Sequence, residues 1–178
     1  WTEEALDRGL VFYEQSWTVD FADIDNDGDF DCLVTNHSTT LFLLENDGTG
    51  NFTNITSGSG LEVTGFFLQA KLEDFDNDGY VDLIYSGGAH AYFRNNGDQT
   101  FSQVPSMFPY GDTMHSFATG DVNRDGQVDV YASYGNSYVS PDNNNDDVLW
   151  INDGNPGQHW ITFELEGFQS NRDAVGAT

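Results

Sequence analysis

The sequence is poor in basic residues, and this deficit excludes two classes of partner. Lysine and arginine together number five, against 30 aspartates and glutamates, so the formal net charge is −25. A protein that binds nucleic acid through the phosphate backbone needs a patch of positive charge, which so few cations cannot form. Attachment to an anionic membrane surface also depends on basic residues and is excluded on the same ground.

Long apolar runs, cysteine pairs and helical stripes are missing as well. Without a run of about 18 apolar residues, the sequence predicts no membrane insertion. The single cysteine, Cys32, lies in the strand-like run "DCLVTN", where we expect a buried and unreactive thiol. No secretory leader is visible, which leaves two expectations, a cytosolic chain or one already processed. The one short helical pattern, "EEALDRG", predicts a single turn that ends at Gly9.

What the sequence does contain is a repeated pattern of short β-strands. Apolar residues make up 38% and aromatic residues 15%, enough for a folded core despite the acidity. Runs of alternating character, such as "TVDFADID" and "LQAKLEDFD", are separated by Asn-Gly and Asp-Gly turns. Landmarks recur at steps of 51 and 47 residues. We therefore predict an all-β fold of three propeller-like blades, each with about four antiparallel strands.

Three nine-residue loops carry the strongest chemical signal in the chain. They read "DIDNDGDFD" at 23–31, "DFDNDGYVD" at 74–82 and "DVNRDGQVD" at 121–129, and we call them loops 1, 2 and 3. Oxygen atoms at alternate positions of a tight turn converge on one point, and a glycine at position six permits the turn. A hard cation with about six to eight oxygen ligands fits that point, Ca²⁺ best of all. The bound ion would also offset the repulsion among the aspartates.

We predict one calcium site in each loop, and therefore three Ca²⁺ sites. The predicted ligands are the side chains at positions one, three, five and nine and the backbone carbonyl at position seven. In chain order they are Asp23, Asp25, Asp27, Asp29 and Asp31 in loop 1, Asp74, Asp76, Asp78, Tyr80 and Asp82 in loop 2, and Asp121, Asn123, Asp125, Gln127 and Asp129 in loop 3. Loop 3 has Asn123 in place of a carboxylate and Arg124 beside it, so we expect it to lose calcium first.

The spacing of the loops also invites comparison with EF-hands and with ordinary solvated turns. An EF-hand needs a glutamate six residues after the glycine, and those positions hold Val34, Tyr85 and Ala132. Ordinary solvated Asp-Asn-Gly turns are the second alternative, and three copies in one register argue against it.

The remaining candidate residues give weaker signals. His37, His90, His115 and His159 show no metal-ligand spacing, and we interpret them as polar positions, with a shared metal at a propeller axis as the alternative. The insertion "SPDNNNDDVLW" at 140–150 is interpreted as a solvated loop, with a fourth cation site as the alternative.

Large aromatic residues could serve the core or a sugar ligand. Trp17, Phe67, Trp150 and Trp160 occupy strand-like positions, where a core role is expected and stacking on sugars is the alternative. No phosphate loop or nucleophile elbow is present, and the calcium loops account for most paired carboxylates. We therefore predict no catalytic residue and no enzyme.

The loops, their following strands and the "NDG…F" turns resemble FG-GAP/VCBS repeats, the calcium-loop blades of integrin-type β-propellers. The segment "GQHWITFELEGFQSNRDAVGAT" is similar to the start of the ASPIC/UnbV module that follows such repeats in many secreted bacterial proteins. The resemblance implies a secreted, extracellular or periplasmic propeller stabilised by calcium. Propellers host both scaffolds and carbohydrate-active proteins. The absence of a recognisable catalytic constellation favours a structural or adhesive surface or matrix scaffold; the alternative is a carbohydrate-binding module or the propeller part of a polysaccharide-active enzyme.

Three repeats are fewer than a closed propeller needs, since propellers have about four to eight blades. We expect 1–14 to form the last strand of a preceding blade, 15–62, 63–109 and 110–156 to be repeats 1 to 3, and 157–178 to begin the ASPIC/UnbV-like module. The expected partners are other copies of the chain or the remainder of a longer one, with glycans as a further candidate. A donated "WTEE" strand would complete the neighbouring blade.

Overall fold

The computed structural model describes residues 1–37, 40–105, 107–108, 113–136, 146–154, 161 and 166. Within these residues it contains β-strands and no helix, which confirms the predicted all-β class. The strands are β1 (Ser16–Ala22), β2 (Asp31–Asn36), β3 (Leu41–Asn46), β4 (Phe52–Asn54), β5 (Phe67–Glu73), β6 (Asp82–Gly87), β7 (Ala91–Asn95), β8 (Phe101–Gln103), β9 (Thr113–Gly120), β10 (Asp129–Gly135) and β11 (Val148–Trp150).

The strands form antiparallel meanders, which we call blades. Blade 1 is the four-stranded sheet β1-β2-β3-β4, blade 2 comprises β5 to β8, and blade 3 comprises β9 to β11. Blades 2 and 3 belong to one hydrogen-bonded sheet, but β6 and β9 pair only at Gly87 and Met114. In the described part of the chain the sheets do not close into a ring.

The same strand pairs recur with the same register in successive blades. Glu45 on β3 faces Thr53 on β4, and Arg94 on β7 faces Ser102 on β8. Tight turns with glycines at positive φ join these strands, at Gly48 (φ 75°) in blade 1 and Gly97 (φ 77°) in blade 2. Asn-Asp-Gly and Asn-Asn-Gly sequences therefore set the turns as expected.

Apolar side chains on facing sheets form one core between each pair of blades. Because side chains alternate along a strand, β6 serves both cores. Leu83 and Tyr85 belong to the same core as Leu33 of blade 1, whereas Ile84 belongs to the same core as Val130 of blade 3. Blade 2 is therefore covered on both faces, and this burial is the main favourable contribution to stacking.

The outer face of blade 1 is apolar and only partly covered. Cys32 and Val34, the counterparts of Leu83 and Tyr85, are buried beneath Leu10 and Phe12 from the segment before β1. Phe21 on β1 remains 49% exposed on this sheet. Burial raises the pKa of the Cys32 thiol to about 12, which agrees with the unreactive cysteine predicted from the sequence.

A glycine before the first strand of a blade lies against the fourth strand of that blade. The carbonyl of Arg8 accepts the N–H of Phe52 (2.8 Å), and a Cβ on Gly9 would meet the carbonyl oxygen of Phe52 at 2.2 Å. Gly60 makes the same approach to Phe101, also at 2.2 Å. Only glycine permits such contacts, which explains why a glycine followed by leucine occurs at both positions of the sequence.

The first 14 residues contain a turn and no strand. Arg8 N–H bonds the carbonyl of Glu4 (3.0 Å) and Leu10 N–H bonds that of Ala5 (2.9 Å), which closes one helical turn at Gly9 as predicted. Trp1 is fully exposed, and no strand among the described residues pairs with the N-terminal segment. The role of 1–14 in another blade stays a prediction.

Candidate metal centres

Each acidic loop connects the first strand of a blade to the second, and loop 1 shows how the sequence folds there. Asp23 accepts the N–H of Asp27 at Oδ1 (3.1 Å) and that of Gly28 at Oδ2 (3.0 Å). Asp27 Oδ1 accepts the N–H of Asp29 (3.1 Å). Asn26 and Gly28 both take positive φ, at 62° and 97°, conformations that Asn and Gly adopt most readily. The carboxylates are thus oriented by the turn that they flank.

Loops 2 and 3 repeat these bonds at every equivalent position. The N–H groups of Asp78 and Gly79 donate to Asp74, and that of Tyr80 donates to Asp78, over 2.9–3.1 Å. In loop 3 the N–H groups of Asp125 and Gly126 donate to the carboxylate of Asp121. The N–H group of Gln127 donates to the carboxylate of Asp125. Three independent segments therefore share one loop conformation.

The structure brings the carboxylates at positions one, three and five together in loops 1 and 2. One oxygen atom from each carboxylate lies within 4.8 Å of the other two, in the triads Asp23, Asp25, Asp27 and Asp74, Asp76, Asp78. In loop 3, Asn123 stands in the third position; its Oδ1 accepts the N–H of Asp125 (3.0 Å) and its Nδ2 donates to Asp125 Oδ2 (2.7 Å). In loop 3 the carboxylate of Asp125 is therefore hydrogen-bonded to a side chain of the same loop.

The aspartate at position nine is buried and closes each loop through main-chain hydrogen bonds. Asp31 accepts the N–H of Ile24 (3.0 Å) and that of Asn46 (2.9 Å), one on each oxygen. Asp82 and Asp129 accept N–H groups from the equivalent positions of their own blades, which are Phe75 and Asn95 for Asp82 and Val122 and Asn152 for Asp129. Burial raises the pKa of Asp82 to about 6. A structural role is therefore certain for position nine, and its role as a metal ligand stays a prediction.

Position seven is anchored by packing against the glycine of the following turn. A Cβ on Gly97 would lie 3.0 Å from the Tyr80 ring, and one on Gly154 would lie 2.9 Å from the Gln127 side chain. In loop 1 the neighbour of Gly48 is Asp29, at 3.3 Å. The side chains at position seven point away to these turns, and the role of their carbonyls as ligands stays a prediction.

Sequence reasoning missed the hydrogen bonds that join one loop to the next. Asn26 Nδ2 of loop 1 donates to the carbonyl of Gly79 in loop 2 (2.9 Å), and Asn77 of loop 2 donates to Gly126 in loop 3 (3.0 Å). The only signal was asparagine at position four of loops 1 and 2, where loop 3 has Arg124.

In blades 2 and 3, the asparagine that opens the Asn-Asn-Gly or Asn-Asp-Gly turn forms a second link to the preceding blade, whereas Asn46 in blade 1 bonds Phe30 of its own loop. Asn95 Nδ2 donates to the carbonyl of Ile24 in loop 1 (2.8 Å) and to that of Val81 in its own loop (3.1 Å). Asn152 reaches Phe75 of loop 2 in the same way (2.7 Å). These residues were predicted only as turn formers, because a sequence pattern does not show which blade lies next to which.

Charged neighbours distinguish loops 1 and 2. Arg94 contacts two carboxylates of loop 2, with Nε 2.8 Å from Asp76 Oδ2 and Nη2 2.7 Å from Asp78 Oδ2. Near loop 1, Gln99 of blade 2 bonds both Asp25 Oδ2 (2.7 Å) and Glu45 Oε1 (2.6 Å). The sequence offered no signal for either contact.

The weaker candidates do not assemble into a site among the described residues. His37 contacts Trp17 and Phe66, whereas His90 contacts Phe108 and Tyr134. His115 bonds the carbonyl of Gly135 (3.1 Å). His159, Trp160 and most of the insertion at 140–150 lie outside the described residues.

The donor set of the loops fits a hard divalent cation. All ligand atoms are oxygens, and crowding of like charges is relieved when a cation enters. In loop 1, the Oδ1 of Asp29 is inaccessible to solvent and has no hydrogen-bond partner among the described residues. Burial and the neighbouring Asp27 raise the pKa of Asp29, and burial and Asp78 raise that of Asp76. The loops have surplus negative charge that a bound cation would balance.

Antiparallel blades whose first two strands are joined by acidic, cation-fitting loops define a class of repeat protein. The FG-GAP-like repeat family matches this chain twice, over residues 23–85 and 74–132, so the chain belongs to that family. Cartilage acidic protein 1 of Xenopus tropicalis is 27% identical over 134 residues, which cover 71% of this chain and 21% of the relative. The chain thus spans about a fifth of that protein's length. Among the described residues, no helix is long and apolar enough to cross a membrane.

Proposed function

We propose that this chain is part of a secreted β-propeller that binds calcium in three loops and serves as a non-catalytic structural or adhesive scaffold. The observation that carries the proposal is the convergence of three carboxylates in loops 1 and 2, on blades of matching register. Bound Ca²⁺ supplies charge neutralisation and fixed coordination, and the chain's own residues hold the turn open to it.

The proposed ligands are those predicted from the sequence, with different degrees of structural support. The carboxylates at positions one, three and five each place one oxygen atom within 4.8 Å of the other two in loops 1 and 2. The carbonyl at position seven and the aspartate at position nine complete the proposed shell. In loop 3, Asn123 replaces one carboxylate and the proposed site has less negative charge.

An extracellular location is proposed from composition and kinship. The acidity of the chain suits binding of divalent cations, and the relative's name refers to both cartilage and acidity. Kinship with VCBS repeats, the repeat boundaries given above and an ASPIC/UnbV-like start at 157–178 remain part of this proposal. Apart from residues 161 and 166, that last segment lies outside the described residues.

Removal of calcium tests the proposal directly. Binding to the native state alone stabilises by about 4 kcal/mol per site when free calcium is ~1,000 times the dissociation constant. Because a domain is stable by only ~5–15 kcal/mol in total, we expect excess EDTA to lower the melting temperature sharply and added CaCl₂ to restore it. An unchanged melting curve in EDTA would refute calcium binding, and MgCl₂ at equal ionic strength is the control.

The uncovered face of blade 1 supports a further blade as the partner. In blade 2 the residues equivalent to Val19 and Phe21 are Ala70 and Leu72, which are 7% and 3% exposed because they lie in the core shared with blade 1. On blade 1, Val19 and Phe21 remain about half exposed and line a cavity of about 310 Å³ beside Cys32. We infer that a blade from another copy, or from the rest of a longer chain, packs there.

Particle size in solution tests this partner. Light scattering with calcium present should show an assembly of several copies, and Phe21→Glu should shift it towards the monomer. Thr53→Glu, on the half-exposed strand β4, provides a control substitution outside that face. A monomer at all concentrations would leave only the longer-chain partner.

Carbohydrate binding remains the second candidate function, favoured by one feature. Trp17 is 43% exposed and lines a cavity of about 400 Å³ with Leu68 and His115. Exposed aromatic rings beside polar groups are suited to sugars. Phe67, by contrast, is a core residue at 1% exposure. Binding on a glycan array that Trp17→Ala abolishes would favour this function over a scaffold alone.

A further inference from the structure

Loop 2 contains a cation supplied by the protein itself. The Oδ1 atoms of Asp76 and Asp78 accept main-chain N–H groups, from Asp78 (3.2 Å) and Tyr80 (3.0 Å). Their Oδ2 atoms are the ones left to bind a cation, and the guanidinium of Arg94 contacts both, at 2.8 and 2.7 Å. The guanidinium therefore bridges two carboxylates through two charge-assisted contacts, which are stronger than hydrogen bonds between neutral groups.

This pairing is not a general feature of the repeat. The position equivalent to Arg94 is Glu45 in blade 1, since each faces the middle residue of the fourth strand. In blade 3 the equivalent residue is Ile151, just before Asn152 of the turn. The three loops therefore have an anion, a cation and an apolar side chain at one structural position.

We propose that Arg94 is a resident counter-cation of loop 2, which calcium must displace, and that it sets the calcium affinity of loop 2 below that of loop 1. The proposal rests on calcium binding as the function of the loops and adds how one loop is regulated. Calcium coordinates oxygens at about 2.3–2.6 Å, so Arg94 and the ion would compete for the same Oδ2 atoms. Arginine stays protonated at any physiological pH and cannot leave by losing its charge.

Displacement has two opposite consequences, which separate this role from a merely structural one. Without calcium, Arg94 offsets the repulsion between Asp76 and Asp78, so Arg94→Gln should destabilise the calcium-free protein. With calcium, the same substitution removes a competitor and should tighten binding at loop 2. A residue that only supports the fold would weaken both stability and binding.

A lanthanide probe measures loop 2 separately from the other loops. Tb³⁺ occupies calcium sites and emits when a nearby tyrosine is excited, and Tyr80 at position seven is unique to loop 2. Tyr80→Phe identifies the part of the signal that comes from this loop. Competition of Ca²⁺ against bound Tb³⁺ should show about fivefold tighter binding in Arg94→Gln, or about 1 kcal/mol. The calcium affinity of loop 2 in Arg94→Lys should lie between those of the unaltered protein and Arg94→Gln, because the lysine ammonium is a single point charge.

A reciprocal substitution and a charge control complete the test. Glu45→Arg should weaken calcium binding at loop 1, measured by calorimetry. Arg124→Gln makes the same change in net charge, but Arg124 forms no ion pair within the described part of the chain, so loop 2 affinity should not change.

The outcomes distinguish this inference from the proposed function. If neither Tb³⁺ nor Ca²⁺ binds the unaltered protein, calcium binding itself is wrong. If calcium binds but Arg94→Gln leaves loop 2 affinity unchanged or weaker, the counter-cation role is overturned and the calcium function stands.

Discussion

Loops 1 and 2 have the same pattern, D-x-D-N-D-G-x-x-D, and the same backbone, yet their surroundings differ. Loop 2 lies on a blade covered by neighbours on both faces, whereas loop 1 lies on a blade that has a neighbouring blade on one face only among the described residues. Asp27 of loop 1 is exposed, and Asp78 of loop 2 is half-buried. Loop 1 has the carboxylate of Glu45 nearby, and loop 2 has the guanidinium of Arg94.

The difference teaches that identical ligand sets need not make equal sites. Affinity depends on the charge around a site and on what must leave before the ion enters. From the sequence, loop 3 alone was expected to be weak. With Arg94 offsetting one negative charge, loops 2 and 3 become similar in local charge, and loop 1 stands apart as the strongest proposed site. Three predictions test or sharpen this comparison.

The largest expected effect concerns position nine. Asparagine at 31 or 82 would leave a buried main-chain N–H without an acceptor, which costs about 1–3 kcal/mol. Asp82→Asn should cost more than Asp31→Asn, because Asp82 also accepts the hydroxyl of Tyr92 (2.8 Å). Denaturant unfolding of the calcium-free protein measures both. Asp25→Asn is the control, since loop 3 has Asn123 there; a loss as large as that of Asp82→Asn would contradict the prediction.

A smaller effect is expected on the pH dependence of stability without calcium. Burial raises the pKa of Asp82 to about 6, so folding favours its protonated form. Its stabilising contribution is complete below the ordinary carboxyl pKa of about 4 and is lost as the pH rises through about 6. The unfolding free energy should therefore fall between pH 4.5 and 7.5.

The two loops should differ in this pH dependence. Asp82→Asn should flatten the pH profile more than Asp31→Asn, because burial raises the pKa of Asp82 more than that of Asp31, although hydrogen bonds oppose the rise in both. Hydrogen bonds from Thr49 and Asn51 lower the pKa of Asp47. The contribution of Asp47 to the unfolding free energy is therefore lost only at more acidic pH and does not change between pH 4.5 and 7.5. A profile that rises from pH 4.5 to 7.5 would refute this.

The smallest effect is expected from the amides that join the loops. Asn77→Gly should destabilise by about 0.5–1.5 kcal/mol through loss of one hydrogen bond, and Asn26→Gly by less because its bond to Gly79 is exposed. Glycine keeps the positive φ of both positions, so backbone strain does not confuse the result. Thermal unfolding at saturating calcium measures both variants, and equal losses would contradict the difference between the two loops.

Much of the loop architecture could be predicted from residues alone. Asp-Asn-Gly composition specifies a tight turn, and carboxylates at alternate positions must converge within it, whatever surrounds them. The strands followed for the same reason, because alternation and turn residues are local signals. The prediction that 1–14 form the last strand of a preceding blade goes beyond local signals, since a strand needs a partner. Residues 1–14 form no strand with the described residues of this chain, and their role in another blade stays a prediction.

The sequence by itself determined the repeat, the all-β class and the position of the acidic loops, because each depends on a few neighbouring residues. Only the tertiary structure decided that Asn26 and Asn77 join successive loops, that Asn95 bonds the carbonyl of Ile24, and that Arg94 contacts loop 2. These contacts depend on how one blade or strand is placed against another. Burial of apolar faces sets that placement, and it has no local signature in the chain.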